Sequence, residues 1–179
     1  LQHQLPAVNL LIRTSPAEDP IRFEALAKQY PFLKWNYPKW NLSRQGHQEA
    51  WSQRLPSVDD LCDLRSILAY SDLNINMLST MSLDFMQFDK PVINTVFGNP
   101  SNGLYDDQRF LNYAHIATVV ASHATAIAKD AEALLEQVLS YLAAPSKDAL
   151  HRKALLDLQV SKPLEGTGKR IATTLYQWA

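Results

Sequence analysis

The chain is poor in cysteine, poor in glycine and almost without net charge, and each shortage removes a class of function. A single cysteine, Cys62, rules out an internal disulfide framework. Flanked by leucines in a predicted helix, it reads as a small buried apolar residue. Five glycines in 179 residues form neither a G-x-G-x-x-G run nor a Walker A loop, so both nucleotide motifs are excluded. Seventeen Lys plus Arg against 18 Asp plus Glu leave a net charge of -1, which offers no broad basic field for nucleic acid. A local phosphate site survives that argument, because it needs only a few directed donors. No apolar run approaches the ~20 residues of a membrane span. The start, Leu1-Gln2-His3-Gln4, has neither a basic nor an apolar region, so no signal peptide is expected and the cytoplasm is the expected compartment. His3, His47, His115, His123 and His151 show no H-x-x-x-H spacing, so no metal site is expected. No nucleophile elbow is present, and catalytic residues stay unassigned.

What is present is globular: 46% hydrophobic and 20% charged residues, enough for a sizeable core. Residues 8–14 read as a buried strand ended by Ser15-Pro16, and residues 20–30 as a helix with Phe23, Leu26, Ala27 and Tyr30 on one side. Residues 32–37 are a weaker strand, and 38–56 an irregular loop or short helix. Ser57 can cap the next helix with Asp60 as capping-box partner, and Leu61, Leu64 and Leu68 give its buried side. In the strand at 72–78, Leu73, Ile75 and Met77 alternate with two asparagines, as if one face were buried. A helix with Met81, Phe85 and Phe88 follows, then a strand over 92–97, a loop over 98–107 and a short strand over 124–128. Asp130 caps a helix with Ala131, Leu134, Leu135, Val138, Leu139 and Leu142 on one stripe. Helices over 146–158 and 166–178 complete the chain, the last with Ile171, Leu175 and Trp178 in phase. Strands alternating with helices predict an α/β fold, one Rossmann-like parallel sheet with helices on both faces. Residues 1–165 form the expected domain, and 166–179 a helix outside its core.

In open α/β sheets ligands bind beyond the carboxyl ends of the strands. Three such ends carry polar chemistry. At Leu78-Ser79-Thr80-Met81-Ser82-Leu83-Asp84, two hydroxyls stand where a strand becomes a helix and can help hold a phosphate. Asp84, a turn further in, could accept from ribose hydroxyls. The alternative is that Ser79 or Thr80 is simply a helix cap. Arg13 leaves a buried strand at the ligand edge and can pair with a phosphate; the alternative is a solvated or ion-paired Arg. Trp35 and Tyr37 can stack on a base or pack on the protein. His115 follows a long loop with no metal partners nearby. Asp106-Asp107 reads as a polar loop, with a carboxylate metal site as the weaker alternative.

The run Asp59-Asp60-Leu61 … Leu68-Ala69-Tyr70-Ser71-Asp72-Leu73-Asn74-Ile75 … Ser79-Thr80 … Asp84 … Lys90-Pro91-Val92-Ile93 resembles the C-terminal domain of GT-B glycosyltransferases. It is most similar to the branch of CDP-glycerol glycerophosphotransferases and other enzymes of cell-surface polysaccharide biosynthesis. Looser similarity continues through His115, Ala144-Pro145 to Arg152, and Gly166 to Ile171. The resemblance covers roughly residues 57–175. It implies half of a GT-B fold that binds a nucleotide-sugar or CDP-polyol donor as substrate, with no cofactor and no metal. Ser79 and Thr80 would contact the diphosphate, Asp84 the ribose, and His115 would lie near the donor phosphates; Asp84 stands where Glu is commoner. Arg13-Thr14-Ser15-Pro16 stands where related enzymes often have a histidine before the proline, and that histidine is absent here. The resemblance further implies a partner domain carrying the acceptor site and catalytic base, with the last helix packed on it. Peripheral membrane association of the full enzyme is one option. By itself the chain would then be inactive. The competing expectations are a non-catalytic α/β interaction module and half of a nucleotide-sugar epimerase.

Overall fold

The computed structural model describes residues 5, 7–48, 50–98, 111–160 and 163–178, and its contacts divide the chain into two compact units, Leu1–Ala69 and Tyr70–Ala179. Both are built of strands alternating with helices, and the chain is an α/β protein with parallel strand pairing. The expected single sheet is divided: the described strands form a parallel pair, an antiparallel pair and a three-stranded parallel sheet.

The first unit opens with a small strand–helix–strand crossover. β1 (Leu11–Arg13) pairs in parallel with β2 (Lys34–Asn36), Arg13 opposite Asn36. Parallel neighbours need such a crossover, and a 3-10 turn at Pro20–Phe23 followed by α1 (Glu24–Gln29) supplies it. Asp19 caps the turn by accepting from the Ile21 N–H at 3.0 Å, and Pro20 supplies the pre-set φ of a first helical residue. β3 (Trp40–Leu42) and β4 (Arg54–Pro56) then form an antiparallel pair inside the segment expected to be a loop or short helix, and a 3-10 turn at Ala50–Gln53 lies between them. Each strand is three residues long and residues 43–53 separate them, so no tight-turn signature marks the pairing in the sequence.

α2 (Val58–Tyr70) closes this unit; Leu68 is buried as expected, whereas Leu61 and Cys62, both expected to be buried, are exposed because the helix turns only the Asp60 and Leu68 side inward. Ser57 caps it, its Oγ accepting from the Asp60 N–H at 3.1 Å. The reciprocal half of the capping box is absent, because the Asp60 carboxylate is used elsewhere. Asp60 is 1% exposed and accepts from the Lys39 N–H at 2.8 Å, Trp40 Nε1 at 2.7 Å and Arg13 Nη2 at 2.8 Å. One carboxylate thus ties the end of β1 and the start of β3 to the first turn of α2. Burial pushes the Asp60 carboxyl up, but the bonds from Lys39, Arg13 and Trp40 outweigh it and hold the group below the usual carboxylate range. One turn on, Asp63 takes Lys39 Nζ at 2.9 Å and Asn36 Nδ2 at 3.3 Å.

In the second unit, β5 (Asn74–Asn76), β6 (Val92–Thr95) and β7 (Ala126–Ala128) form a parallel sheet in that order. α3 (Met81–Gln87) joins the first two strands, and α4 (Ala114–Ala121) lies between the last two. α4 was not anticipated: Ile116, Thr118, Val119 and Val120 form a β-branched run of low helical propensity, and the helix forms around a buried Ile116. The core is the central strand, with Val92 and Ile93 fully buried, together with Phe85 and Met86 of α3. Phe88, expected on that buried side, is 39% exposed because α3 has already ended. Asp130 caps α5 (Ala131–Ala143) as expected, accepting from the Ala133 N–H at 2.8 Å. The buried side of α5 is Val138 and Tyr141, while Leu139 and Leu142 of the expected stripe are largely exposed.

α6 (Ala149–Gln159) carries the second organising charge. Arg152 is 1% exposed, and its guanidinium donates to the Asp89 carboxylate at 2.8 Å and to the Lys147 and Pro145 carbonyls at 2.6 and 3.1 Å. Asp89 ends α3 in the left-handed region at φ 51°, so Arg152 fixes the turn between α3 and β6 against that between α5 and α6. Tyr141 donates to Asp148 at 2.9 Å, and burial and that carboxylate push the phenol pKa up. α7 (Thr167–Trp178) has no buried residue.

Asp60→Asn tests the first of these charges. The folded pKa of Asp60 lies below the unfolded one, so its stabilisation is complete above pH ~4 and is lost as the pH falls through the folded value. At neutral pH Asp60→Asn is expected to cost on the order of 3 kcal/mol, because Arg13 loses its counter-charge. Urea unfolding followed by tryptophan fluorescence should show that deficit shrinking in acid.

Candidate functional site

The carboxyl edge of the three-stranded sheet brings most of the expected chemistry of the second unit to one turn. β5 ends at Asn76, Leu78 follows in the left-handed region at φ 53°, and Ser79-Thr80 lead into α3. A bulky residue at positive φ is uncommon, and something must hold it there. Asn76 does so: its Oδ1 accepts from the Ser79 N–H at 2.8 Å and from Asn94 Nδ2 of the neighbouring strand at 2.9 Å. Its amide nitrogen donates to Ser82 Oγ at 3.1 Å and to Asn74 Oδ1. Ser82 also accepts from Asn94 Nδ2 at 3.2 Å, and both residues are buried. The asparagines of β5, both partly buried, therefore belong to a polar network with the buried Ser82 and Asn94 that locks the strand-to-helix turn. The expectation that they lie on an open face is corrected. Sequence alternation cannot distinguish a polar outer face from a polar network under a helix, because both have a period of two.

The turn exposes Ser79 and Thr80 to solvent. Ser79 Oγ accepts from the Met81 N–H at 3.3 Å, a local hydroxyl turn; Thr80, at the cap position, makes no side-chain cap bond. Ser79 O and Thr80 O take the N–H groups of Ser82 and Leu83. Among the described residues, the Thr80 N–H and the two hydroxyl hydrogens have no acceptor. α3 is seven residues long, so its dipole is short, and the donors on offer are hydroxyls and one amide. Asp84 is half-buried with no partner among the described residues, and burial pushes its carboxyl above the usual range.

The other expected residues are placed differently. His115 is exposed in the first turn of α4, its ring 6.0 Å from that of Tyr113. Arg13, Trp35 and Tyr37 belong to the first unit. The Arg13 guanidinium is engaged by Asp60 and by Asn36 Oδ1, so the ion-paired alternative is the one observed. Trp35 stacks on Tyr37 with centroids 5.9 Å apart and planes at 9°, and packs against Phe23 at 5.6 Å. These aromatics pack on one another. Asp106 and Asp107 lie outside the described residues, as does most of the loop expected at 98–107. Among the described residues, no group of three His, Cys, Asp or Glu side chains could hold a metal ion. No helix among them is long and apolar enough to cross a membrane.

The chain matches no family model, no curated protein and no solved structure.

Removing the anchor of the turn has a local and a global signature. Asn76→Ala should lower stability by about 2 kcal/mol, since Asn94 is left buried with a lost partner. Amide hydrogen exchange at Ser79 should accelerate in the same variant, because its N–H loses the side-chain acceptor. Asp84→Asn is expected to be neutral or slightly stabilising at pH 7 in urea unfolding, since burial already disfavours the charged form.

Proposed function

We propose that the second unit binds the phosphate-bearing part of an activated donor, a nucleotide-sugar or CDP-polyol, as the donor domain of a GT-B-type glycosyltransferase of surface-polysaccharide biosynthesis. The observation that carries this is the turn at Ser79-Thr80. It lies at the carboxyl edge of a parallel sheet and is pinned in a left-handed bend by Asn76. It presents two hydroxyls and one amide with no acceptor of their own among the described residues. Donors held in place before the ligand arrives cost little reorganisation when they meet an anion. The similarity of residues 57–175 to that family supports the same assignment.

In this proposal the acceptor displaces the leaving phosphate at the donor carbon, and a nucleoside diphosphate departs; transfer of a polyol phosphate would release the monophosphate. Ser79 and Thr80 donate to the departing oxygens, where negative charge grows. Asp84 is the acid within a turn of them that could accept from the ribose. The acceptor and the catalytic base come from another domain.

A second proposal, a non-catalytic interaction module, draws support from α7, on which Ile171, Leu175 and Trp178 are all more than half exposed. Calorimetric titration with CDP, UDP, GDP and CMP separates the two. Donor binding predicts a diphosphate preferred over its nucleoside, and about tenfold weaker affinity in Ser79→Ala plus Thr80→Ala. Absence of binding to all four by the folded chain would remove the donor assignment and favour the module.

A further inference from the structure

The first unit contains a cleft of about 270 Å³ lined by Thr14, Ser15, Tyr37 and Arg54 and not by the turn at Ser79-Thr80. It lies past the carboxyl ends of β1 and β2, the position where parallel strands leave room for ligands. The segment after β1, residues 14–20, forms one wall. Tyr37 and Pro38, after β2, and Arg54 of β4 complete it.

The charges around this cleft are unequally committed. Glu18 is paired with Arg22, and the Asp19 carboxylate accepts from the Ile21 N–H. Arg54 is partly buried and has neither an ion-pair partner nor a hydrogen-bond acceptor for its guanidinium among the described residues. Arg13 of the same unit shows the contrast, with both of its terminal nitrogens engaged. A partly desolvated guanidinium without an acceptor is costly to keep, and an anion is the partner that removes the cost. Arg54 is also held in place: it sits in the β3–β4 ladder opposite Leu42, so its backbone is fixed before any ligand arrives. Thr14 and Tyr37 line the same cleft, and neither hydroxyl has a hydrogen-bond partner among the described residues. The Ser15 hydroxyl accepts from the Ala17 N–H at 3.3 Å and keeps its own hydrogen for donation.

We propose that this cleft is a binding site for a phosphoryl group, with the Arg54 guanidinium as its principal donor and the Thr14, Ser15 and Tyr37 hydroxyls completing the set. The donors come from three separate segments. A tetrahedral phosphate directs its oxygens to several sides, whereas a carboxylate offers two in one plane, so this distribution favours phosphate. The site is independent of the donor assignment for Ser79 and Thr80 and stands on different residues.

The test titrates inorganic phosphate, ribose 5-phosphate and acetate separately into the isotopically labelled chain, followed by NMR. Phosphate should give saturable shifts at the amides of Ser15, Ala17, Glu18 and Asp19 and at the Arg54 side-chain N–H. Tighter binding of ribose 5-phosphate would identify a phosphate ester as the natural source, and equal binding the free ion. Arg54→Ala and Arg54→Gln should each weaken binding by about tenfold or more, and Arg54→Lys by less, since it keeps the charge without the fork. Either neutral variant suffices if the other fails to fold. Absence of saturable shifts, shifts that persist in the neutral variants, or acetate bound as tightly as phosphate would overturn the proposal. So would shifts that vanish in Ser79→Ala plus Thr80→Ala while surviving in the Arg54 variants.

Discussion

A charge taken out of water must be given partners, and each unit of this protein is organised around one such charge. Asp60 in the first unit and Arg152 in the second are both 1% exposed. An isolated ion at either position would be strongly destabilising, so the surrounding chain is arranged to supply complementary groups. Asp60 collects a backbone amide, an indole and a guanidinium from segments far apart in sequence. Arg152 collects a carboxylate and backbone carbonyls from two turns. In both cases a long-range ion pair joins loops that short strands and short helices could not hold by themselves.

The same constraint decides which polar groups remain available for ligands. Arg13, a strong phosphate donor by residue type, is committed to Asp60 and Asn36. Arg54, on a strand with no visible sequence signal, is left with no acceptor among the described residues. In the second unit, Asn76 takes the Ser79 N–H, and the Thr80 N–H and the two hydroxyl hydrogens have no acceptor among the described residues. The candidate sites are what remains after the structural demand for hydrogen bonds has been met.

Local signals were legible where a residue acts on its near neighbours. Ser57 and Asp130 cap the helices they precede, and the apolar periodicity from Leu61 to Leu68 marks a helix that is present. The turn at Ser79-Thr80 was legible for the same reason, since two hydroxyls between a strand and a helix are a local pattern. The β3–β4 pair was not, because its partners are separated by residues 43–53 and neither strand exceeds three residues. Asp60 does not complete the expected capping box, because the three groups that claim its carboxylate, from Arg13, Lys39 and Trp40, are remote in sequence. α4 was not legible because its β-branched residues give it a low helical propensity.

By itself the sequence determined the α/β alternation, the helix caps, and the placement of hydroxyls at a strand end. All of these follow from interactions within one or two turns of chain. Tertiary structure alone decided how the strands were divided among sheets, which buried charges met, and which arginine was left without an acceptor among the described residues. Those outcomes depend on hydrogen bonds between distant segments, and a buried donor or acceptor takes whichever partner the fold brings within about 3 Å, whatever its position in the chain.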